Sequence, residues 1–261
     1  MIGFRHGVAT SVGRVRQVNE DSYLAQPPLY AIADGMGGHG AGDLASALAI
    51  ETLTGCARLG VLSVPGVLAT LDAANQAIAG HEPAGMGTTV TGLASLETAG
   101  GDHLMVFNVG DSRVYRVVGG HLDQVTVDHS VVQELVLAGT LTPDQARTHP
   151  RRNVITRALG SDRALRVDHW LLPALAGDRY LLCSDGLFSE LAEDQILPLL
   201  TGGDPQRAAT ALVDAANDAG GHDNITVIVV DIDGDDEQAA DDDRVADGDT
   251  RPRDQLPGSH D

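Results

Sequence analysis

The sequence contains no lysine, because all 17 of its basic residues are arginine. This absence excludes a Walker-type phosphate loop and any mechanism that forms a Schiff base on a lysine. With 37 acidic residues the formal charge is −20, which argues against a nucleic-acid-binding protein, since such proteins bind through basic surfaces. Aromatic residues make up only 3% of the chain, so Ala, Val, Leu and Ile must fill the core.

Cysteine is also scarce: Cys56 and Cys183 are the two in the chain. They provide no disulfide framework, and neither begins the Cys-x5-Arg signature of cysteine phosphatases. Cys183 lies in an apolar run and is interpreted as a buried strand residue. The sequence also lacks a signal peptide and any stretch of eighteen apolar residues. These absences predict a cytoplasmic protein without a membrane span, and we expect a monomer.

The acidic residues are unevenly distributed along the chain. Residues 232–261 contain ten Asp, one Glu and three Arg, with almost no large apolar side chain. Such a segment cannot bury enough apolar surface to offset the entropy of ordering it, so a disordered tail is predicted. Residues 1–231 are predicted to form one folded domain. Within it, residues 139–160 contain prolines and several arginines and are predicted to form a helical or looped surface insertion.

The apolar pattern predicts a mixed α and β domain. Strands are predicted at 29–33, 89–96, 103–109, 114–118, 165–171, 179–183 and 225–231. Helices are predicted near 41–58, 64–79, 129–138, 192–200 and 205–219. Because strands follow one another in groups, antiparallel sheets with helices outside are favoured over a doubly wound parallel sheet. The predicted class is α+β.

Carboxylates recur where these strands begin or end. Four of the sites are Asp34, Asp111, Asp185 and Asp223, and the fifth is the pair Glu20 and Asp21. Taken singly, an aspartate before glycine is ordinary turn chemistry. Taken together, carboxylates at several strand ends predict an all-oxygen site for Mg²⁺ or Mn²⁺ rather than zinc.

The chain resembles the metal-dependent protein phosphatases of the protein phosphatase 2C family, especially the bacterial members. The run DGMGGH at 34–39 and the run GHDNIT at 221–226 are two of the segments that carry this resemblance. Eight such segments occur in the family's order: 13–22, 33–39, 87–89, 108–113, 128–130, 155–160, 184–187 and 221–226. The resemblance implies a four-layer αββα sandwich of two antiparallel sheets, with a dinuclear Mn²⁺ or Mg²⁺ site at one end.

The resemblance also implies the metal ligands. Asp34 would bridge the two metal ions, the Gly35 carbonyl would bind one of them, and Asp185 and Asp223 would hold the other. Asp111, together with Asp185, matches the family's weaker third metal site, although a turn role for Asp111 remains open.

Four further roles follow from the resemblance. Glu20 and Asp21 would anchor metal-bound water, mostly without direct contact to the ions. Arg16 would bind the substrate phosphate as a planar fork. His39 is the candidate general acid, with helix capping as its alternative, whereas His129 and Ser130 are expected to cap the following helix.

The implied activity is hydrolysis of phosphoserine and phosphothreonine in proteins, through in-line attack by a water or hydroxide held by two metals. Residues 139–160 would be the flap that shapes substrate choice. The implied partners are phosphorylated proteins and a bacterial serine/threonine protein kinase whose products this enzyme would reverse in signal transduction. Two alternatives remain: a phosphatase of a small phosphoester or of a single phosphorylated regulator, and a non-catalytic phosphoprotein-binding relative.

Overall fold

The computed structural model describes residues 2–37, 41–81, 85–98, 101–161 and 164–234. Its strands are β1 Gly3–Ser11, β2 Asp21–Gln26, β3 Leu29–Met36, β4 Gly87–Thr88, β5 Val90–Thr98, β6 Gly101–Val109, β7 Arg113–Val118, β8 His121–Gln124, β9 Asp168–Pro173, β10 Arg179–Cys183 and β11 Ile225–Asp233. Its helices are α1 Ala41–Ala57, α2 Val64–Ala79, α3 Val131–Leu137, α4 Pro143–Arg147, α5 Asp185–Phe188, α6 Glu193–Leu200 and α7 Pro205–Ala219.

The strands form two antiparallel sheets. One has the order β1-β11-β10-β7-β8, and the other has the order β2-β3-β5-β6-β9 with β4 paired to β3. The predicted α+β class with two antiparallel sheets is confirmed. The hairpins β2–β3, β5–β6 and β7–β8 join consecutive strands, as the grouped strand pattern indicated.

The alternation of side chains along the strands builds four layers. On β3, Ala31 and Ala33 contact the layer that α1 and α2 form, whereas Tyr30 and Ile32 pack between the two sheets. On β11, Val229 packs toward α6 and α7, and Ile228 packs between the sheets. Each inner strand is therefore covered on both faces, which explains its almost continuous apolar sequence.

Helix boundaries follow local capping signals. The Ser63 side chain caps α2, and the Asp204 side chain caps α7 by accepting from the backbone of Gln206. Proline occupies the first turn of both helices, where its missing N–H costs nothing. Cys56 and Cys183 are both buried free thiols, as the sequence predicted for Cys183.

Several strand predictions needed correction. The strand predicted at 165–171 begins only at Asp168, because Leu165 and Val167 first pack against the layer of α1 and α2. β1, β2 and β8 were missed, since their alternation is interrupted by exposed and half-buried residues, and the two-residue β4 was missed as well. β11 continues to Asp233, beyond the boundary at 231 expected for the domain, and residues 235–261 lie outside the described residues. No helix among the described residues is long and apolar enough to cross a membrane.

Candidate metal centre

The predicted carboxylates converge at one end of the sandwich. Asp21 on β2 lies opposite Asp34 on β3 in the antiparallel register. Asp185 begins α5 directly after β10, and Asp223 stands just before β11. Asp111 lies in the turn between β6 and β7. Elements from both sheets thus bring these side chains together from positions up to 202 residues apart in the chain.

An open cleft of about 220 Å³ occupies this end of the sandwich. Seven of the predicted site residues line it: Arg16, Glu20, Asp34, Gly35, Asp111, Asp185 and Asp223. Asp21 lines a separate, larger groove of about 690 Å³ along α1. His39 lies outside the described residues.

Asp34 and Asp185 form the electrostatic centre of the cleft. Burial raises the pKa of both carboxyls well above the ordinary value, and the neighbouring carboxylates raise it further. Asp21 and Asp185 are the two carboxylates whose charges contribute most to the raised pKa of Asp34. A divalent cation bound between these carboxylates would neutralise this repulsion.

The pKa values of two further carboxyls are raised for related reasons. Burial is the main cause for both: it raises the pKa of Asp21 to about 6, and the pKa of Asp111 likewise to about 6. Ser184 holds Asp21 in place, because its Oγ donates to Asp21 Oδ2 at 2.9 Å. The second oxygen of Asp21, Oδ1, is buried and has no hydrogen-bond partner in the protein. A buried orphan acceptor is costly unless a cation or water satisfies it.

The loop that carries Glu20 is fixed by Asn224. The Oδ1 atom of Asn224 accepts from the Glu20 backbone N–H at 2.8 Å, and its Nδ2 donates to the Val12 and Val18 carbonyls. Burial and the nearby Asp43 raise the pKa of Glu20. Sequence reasoning gave Asn224 no role, although its place directly after Asp223 was the available signal.

Gly35 lies where no side chain fits. A Cβ placed there would stand 2.1 Å from the Gly42 carbonyl oxygen and 2.5 Å from the Glu20 carbonyl oxygen. The start of α1 therefore packs directly on the end of β3. This close approach explains why glycine follows Asp34, and it leaves backbone atoms of Gly35 at the cleft.

Arg16 is the only cationic residue among the described residues that line the cleft. Its Nη2 donates to Asp223 Oδ2 at 2.8 Å, and this hydrogen bond is the main reason that its pKa is raised. Its side chain is 53% exposed, so the guanidinium can leave Asp223 for another anion without crossing the protein interior.

His129 does not cap α3, contrary to the prediction. Its Nδ1 accepts from the Gly110 backbone N–H at 3.1 Å, and its Nε2 contacts Asp168 at 3.1 Å. Ser130 alone caps the helix, accepting from the Gln133 N–H. Because the ring is buried and held between the β6–β7 turn and β9, it serves as a structural tie next to Asp111.

The donor set fits hard divalent cations. Its members are carboxylate oxygens with a glycine backbone beside them, and carboxylates, carbonyls and water are the ligands that Mg²⁺ and Mn²⁺ prefer. Among the described residues, no three Asp, Glu, His or Cys side chains stand in a geometry that could hold an ion by themselves. Water and backbone oxygen would therefore complete the coordination, as is usual for Mg²⁺. The orphan oxygen of Asp21 and the mutual repulsion at Asp34 support the same fit.

Comparison with known proteins identifies the family. The family model described as protein phosphatase 2C matches residues 10–215. The serine/threonine protein phosphatase PstP of Mycobacterium tuberculosis is 42% identical over 238 residues, which cover 87% of this chain and 45% of PstP. The serine/threonine phosphatase stp of Listeria monocytogenes serotype 4b is 35% identical, with 86% and 94% of the two chains covered.

A solved structure shows the same fold. The catalytic domain of PstP in complex with two manganese ions superposes with a TM-score of 0.81 and 38% identity, covering 90% of this chain and all of that one. The chain belongs to the protein phosphatase 2C family. It spans just under half the length of PstP, to which it is 42% identical over 238 residues.

Proposed function

We propose that this chain is a Mn²⁺- or Mg²⁺-dependent phosphatase of phosphoserine and phosphothreonine in proteins, with residues 1–233 as its catalytic domain. The observation that carries the proposal is the convergence of Asp34, Asp111, Asp185 and Asp223 in one cleft. Among the described residues that line this cleft, Arg16 is the one cationic side chain. The names of PstP and stp as serine/threonine phosphatases, and the two manganese ions in the PstP structure, support it.

The carboxylates would divide the metal binding between them. Asp34 would contact both ions, Asp185 and Asp223 would hold one, and the Gly35 carbonyl would contribute to the other. Asp111 and Asp185 would offer a weaker third position. When bound, two divalent cations supply Lewis-acid charge and lower the pKa of water toward neutrality.

Glu20 and Asp21 would act through water rather than by direct contact. Ser184 fixes one oxygen of Asp21 and leaves the other free to accept a hydrogen bond. Asn224 fixes the backbone of Glu20. Both carboxylates are thus held in place before any substrate arrives, and this preorganisation limits the reorganisation that the reaction requires.

Arg16 would orient the phosphate. Its guanidinium would exchange the 2.8 Å contact with Asp223 for two phosphate oxygens once a cation neutralises that carboxylate. In-line attack by water on phosphorus would then break the bond to the seryl or threonyl oxygen, which must gain a proton as it leaves. We propose His39 as the donor of this proton, since an imidazole titrates near neutral pH.

The partners follow from the product chemistry. A protein phosphatase needs a kinase that supplies its phosphomonoesters, so a serine/threonine protein kinase in the same cytoplasm is the proposed counterpart. The flap at 139–160 contributes Asn153 and Ile155 to the rim of the cleft, which supports a role for it in selecting substrates.

The test is the initial rate of phosphate release from a phosphothreonine peptide. We expect turnover with Mn²⁺ and none with excess EDTA. Asp185→Asn should lower the rate at least about a thousandfold, because it removes a negative ligand from the metal site. Asp214→Asn serves as the matched control, since Asp214 is exposed on α7.

Two results would refute parts of the proposal. Turnover that persists in EDTA, or that survives Asp185→Asn, would exclude the metal mechanism. Turnover of p-nitrophenyl phosphate without turnover of any phosphopeptide would exclude a protein substrate and favour a small phosphoester.

A further inference from the structure

The flap carries positive charge in a strongly acidic chain. Residues 139–160 contain four arginines and one acidic residue, Asp144, whereas the whole chain has 37 acidic and 17 basic residues. Arg157 at its end is already paired with Asp168, at 2.8 Å. The other three are Arg147, Arg151 and Arg152, here called the flap arginines.

The backbone around the flap arginines is held in consecutive turns. The His149 N–H donates to the Ala146 carbonyl at 3.2 Å, directly after α4 ends at Arg147. The Arg152 N–H donates to the His149 carbonyl at 3.0 Å, and the Arg151 N–H donates to His149 Nδ1 at 3.1 Å. Three arginines are therefore displayed within six residues of turn structure.

The flap arginines have no carboxylate partners among the described residues. All three are exposed, and none forms an ion pair there. Several other arginines are paired, and Arg113 and Arg116 each bind an aspartate at 2.7 Å, whereas Arg58 and Arg207 also form no ion pair among the described residues but lie outside the flap. In a chain with so many carboxylates, this leaves the flap arginines available to an anion from outside.

The flap arginines stand beside the candidate metal centre. Asn153 and Ile155, one and three positions after Arg152 in the chain, line the cleft. The segment is fixed to the domain because the Val131 N–H donates to the Val154 carbonyl at 2.9 Å, and Ile155 bridges to Ser130. Consecutive Cα atoms are about 3.8 Å apart, so a peptide whose phosphorylated residue enters the cleft passes the flap arginines within a few residues.

We infer that the flap arginines bind oxyanions that flank the phosphorylated residue of the substrate, so that the preferred substrate is an acidic or multiply phosphorylated peptide segment. This inference rests on the proposed function and adds a substrate class to it. The guanidinium fork suits both sources of the oxyanion, Asp or Glu carboxylates and a second phosphate. Without this surface, the net charge of −20 would repel such a segment.

The experiment compares three phosphothreonine peptides of equal length, with Mn²⁺ present. One has neutral residues on both sides of the phosphothreonine, the second has glutamates there, and the third has a second phosphothreonine two residues away. For each, kcat/KM is measured with the wild type, with Arg151→Gln/Arg152→Gln, and with the same double variant carrying Arg147→Gln in addition.

A charge-matched control separates local binding from the general field of the protein. Arg58→Gln/Arg207→Gln removes two exposed arginines that form no ion pair among the described residues and that lie on α1's end and on α7. Melting temperatures in Mn²⁺ show that each variant is folded.

The wild type should prefer the acidic and doubly phosphorylated peptides over the neutral one by about tenfold, since several exposed charge contacts contribute modestly each. The flap variants should lose most of this preference, and the control should keep it. The preference should also shrink as salt is raised from 50 to 300 mM, because exposed charges are screened. The charged peptide whose kcat/KM falls more in the flap variants identifies the favoured oxyanion as the carboxylate or the second phosphate.

Three outcomes would overturn the inference: no preference in the wild type, a preference that the flap variants retain, or an equal loss in the control. Failure of the wild type on all peptides and on p-nitrophenyl phosphate would instead refute the proposed function. Hydrolysis of all three peptides without preference would leave the proposed function intact and remove only the flap inference.

Discussion

The two ends of the five-stranded sheet carry the same residue types in opposite arrangements. At the end away from the cleft, Asp178 binds Arg116 at 2.7 Å, and Asp231 binds Arg179, also at 2.7 Å. At the cleft end, Asp185 lies among other carboxylates. Burial is the main cause of its raised pKa, and the neighbouring carboxylates raise the pKa further. At the far end each of these aspartates has an arginine partner, whereas at the cleft end Asp34 and Asp185 have none among the described residues, although Arg16 pairs with Asp223 and Arg113 with Asp128 nearby.

The difference separates what stabilises this fold from what performs its chemistry. A buried carboxylate paired with arginine is compensated once the chain has folded, because the charge and the hydrogen bonds are satisfied together. The unpaired carboxylates at the cleft oppose folding until a divalent cation binds. The binding energy of the metal therefore appears as stability as well as activity.

The largest effect on stability is expected at the paired end. Arg179→Gln should lower the free energy of unfolding by about 2–3 kcal/mol, because it leaves the buried Asp231 with only the longer 3.4 Å contact to Arg5 among the described residues, and because it removes bonds to the Leu200 and Gly203 carbonyls. Urea unfolding would show this as a lower midpoint with an unchanged slope. The rate with Mn²⁺ should stay near that of the wild type, and Arg207→Gln should alter neither quantity. An activity loss larger than tenfold in folded Arg179→Gln would contradict the assignment of stability to one end of the sheet and chemistry to the other.

A smaller effect is expected when pH is varied in EDTA. Asp21 and Asp111 have a folded-state pKa of about 6, above their ordinary value in the unfolded chain. Their contribution to stability is full below that ordinary value and is lost as pH rises through 6. Stability in EDTA should therefore fall by on the order of 2 kcal/mol between pH 5 and pH 7.5.

His129 changes the pH dependence of stability in the opposite direction, so the stability in EDTA must be compared with the stability in Mn²⁺ at each pH. Burial lowers its pKa, and its contribution to stability is lost as pH falls. Since His129 is present with and without metal, the gap between the Mn²⁺ and EDTA melting temperatures removes its influence. That gap should widen from pH 5 to pH 7.5. A constant gap would show that the carboxylates of the cleft are not the groups that the metal deprotonates.

The smallest effect is expected from Asp185→Asn in EDTA. The substitution removes one negative charge from the cluster of carboxylates and keeps the shape of the side chain. The free energy of unfolding of the metal-free protein should therefore rise by about 1 kcal/mol at pH 7.5. The gain should vanish near pH 4, where the wild-type carboxyl is protonated. Thermal melting at both pH values measures it. The same substitution at exposed Asp214 should change nothing, and a destabilised Asp185→Asn would mean that Asp185 is already compensated within the chain.

Local signals predicted a large part of this fold. The helix expected at 64–79 is α2 at Val64–Ala79, where Ser63 and Pro65 mark the start. The strand predicted at 179–183 is also as expected. In both cases, the residues that decide the boundary are neighbours in the sequence. β1 was missed because it is defined by pairing with β11 rather than by its own pattern.

The same reasoning explains what could be said of the site. Asp34 and Asp185 each follow an apolar strand, so their position at a sheet end was predictable. The contact between Arg16 and Asp223 joins residues 207 positions apart, and no local pattern contains it. The tie formed by His129 was equally hidden, because it depends on Gly110 and Asp168 arriving from different strands.

The pairing of β1 with β11 has a consequence for synthesis on the ribosome. Gly3–Ser11 finds its only neighbours in the described sheet when Ile225–Asp233 has been made, more than two hundred residues later. At ~5–20 residues per second, the first strand waits roughly 10–40 s for its partner. Asp223 and Asn224, which complete the cleft and fix the loop of Glu20, emerge in the same final stretch. A growing chain therefore remains inert until this stretch has left the exit tunnel, and then the sheet and the metal centre become complete together.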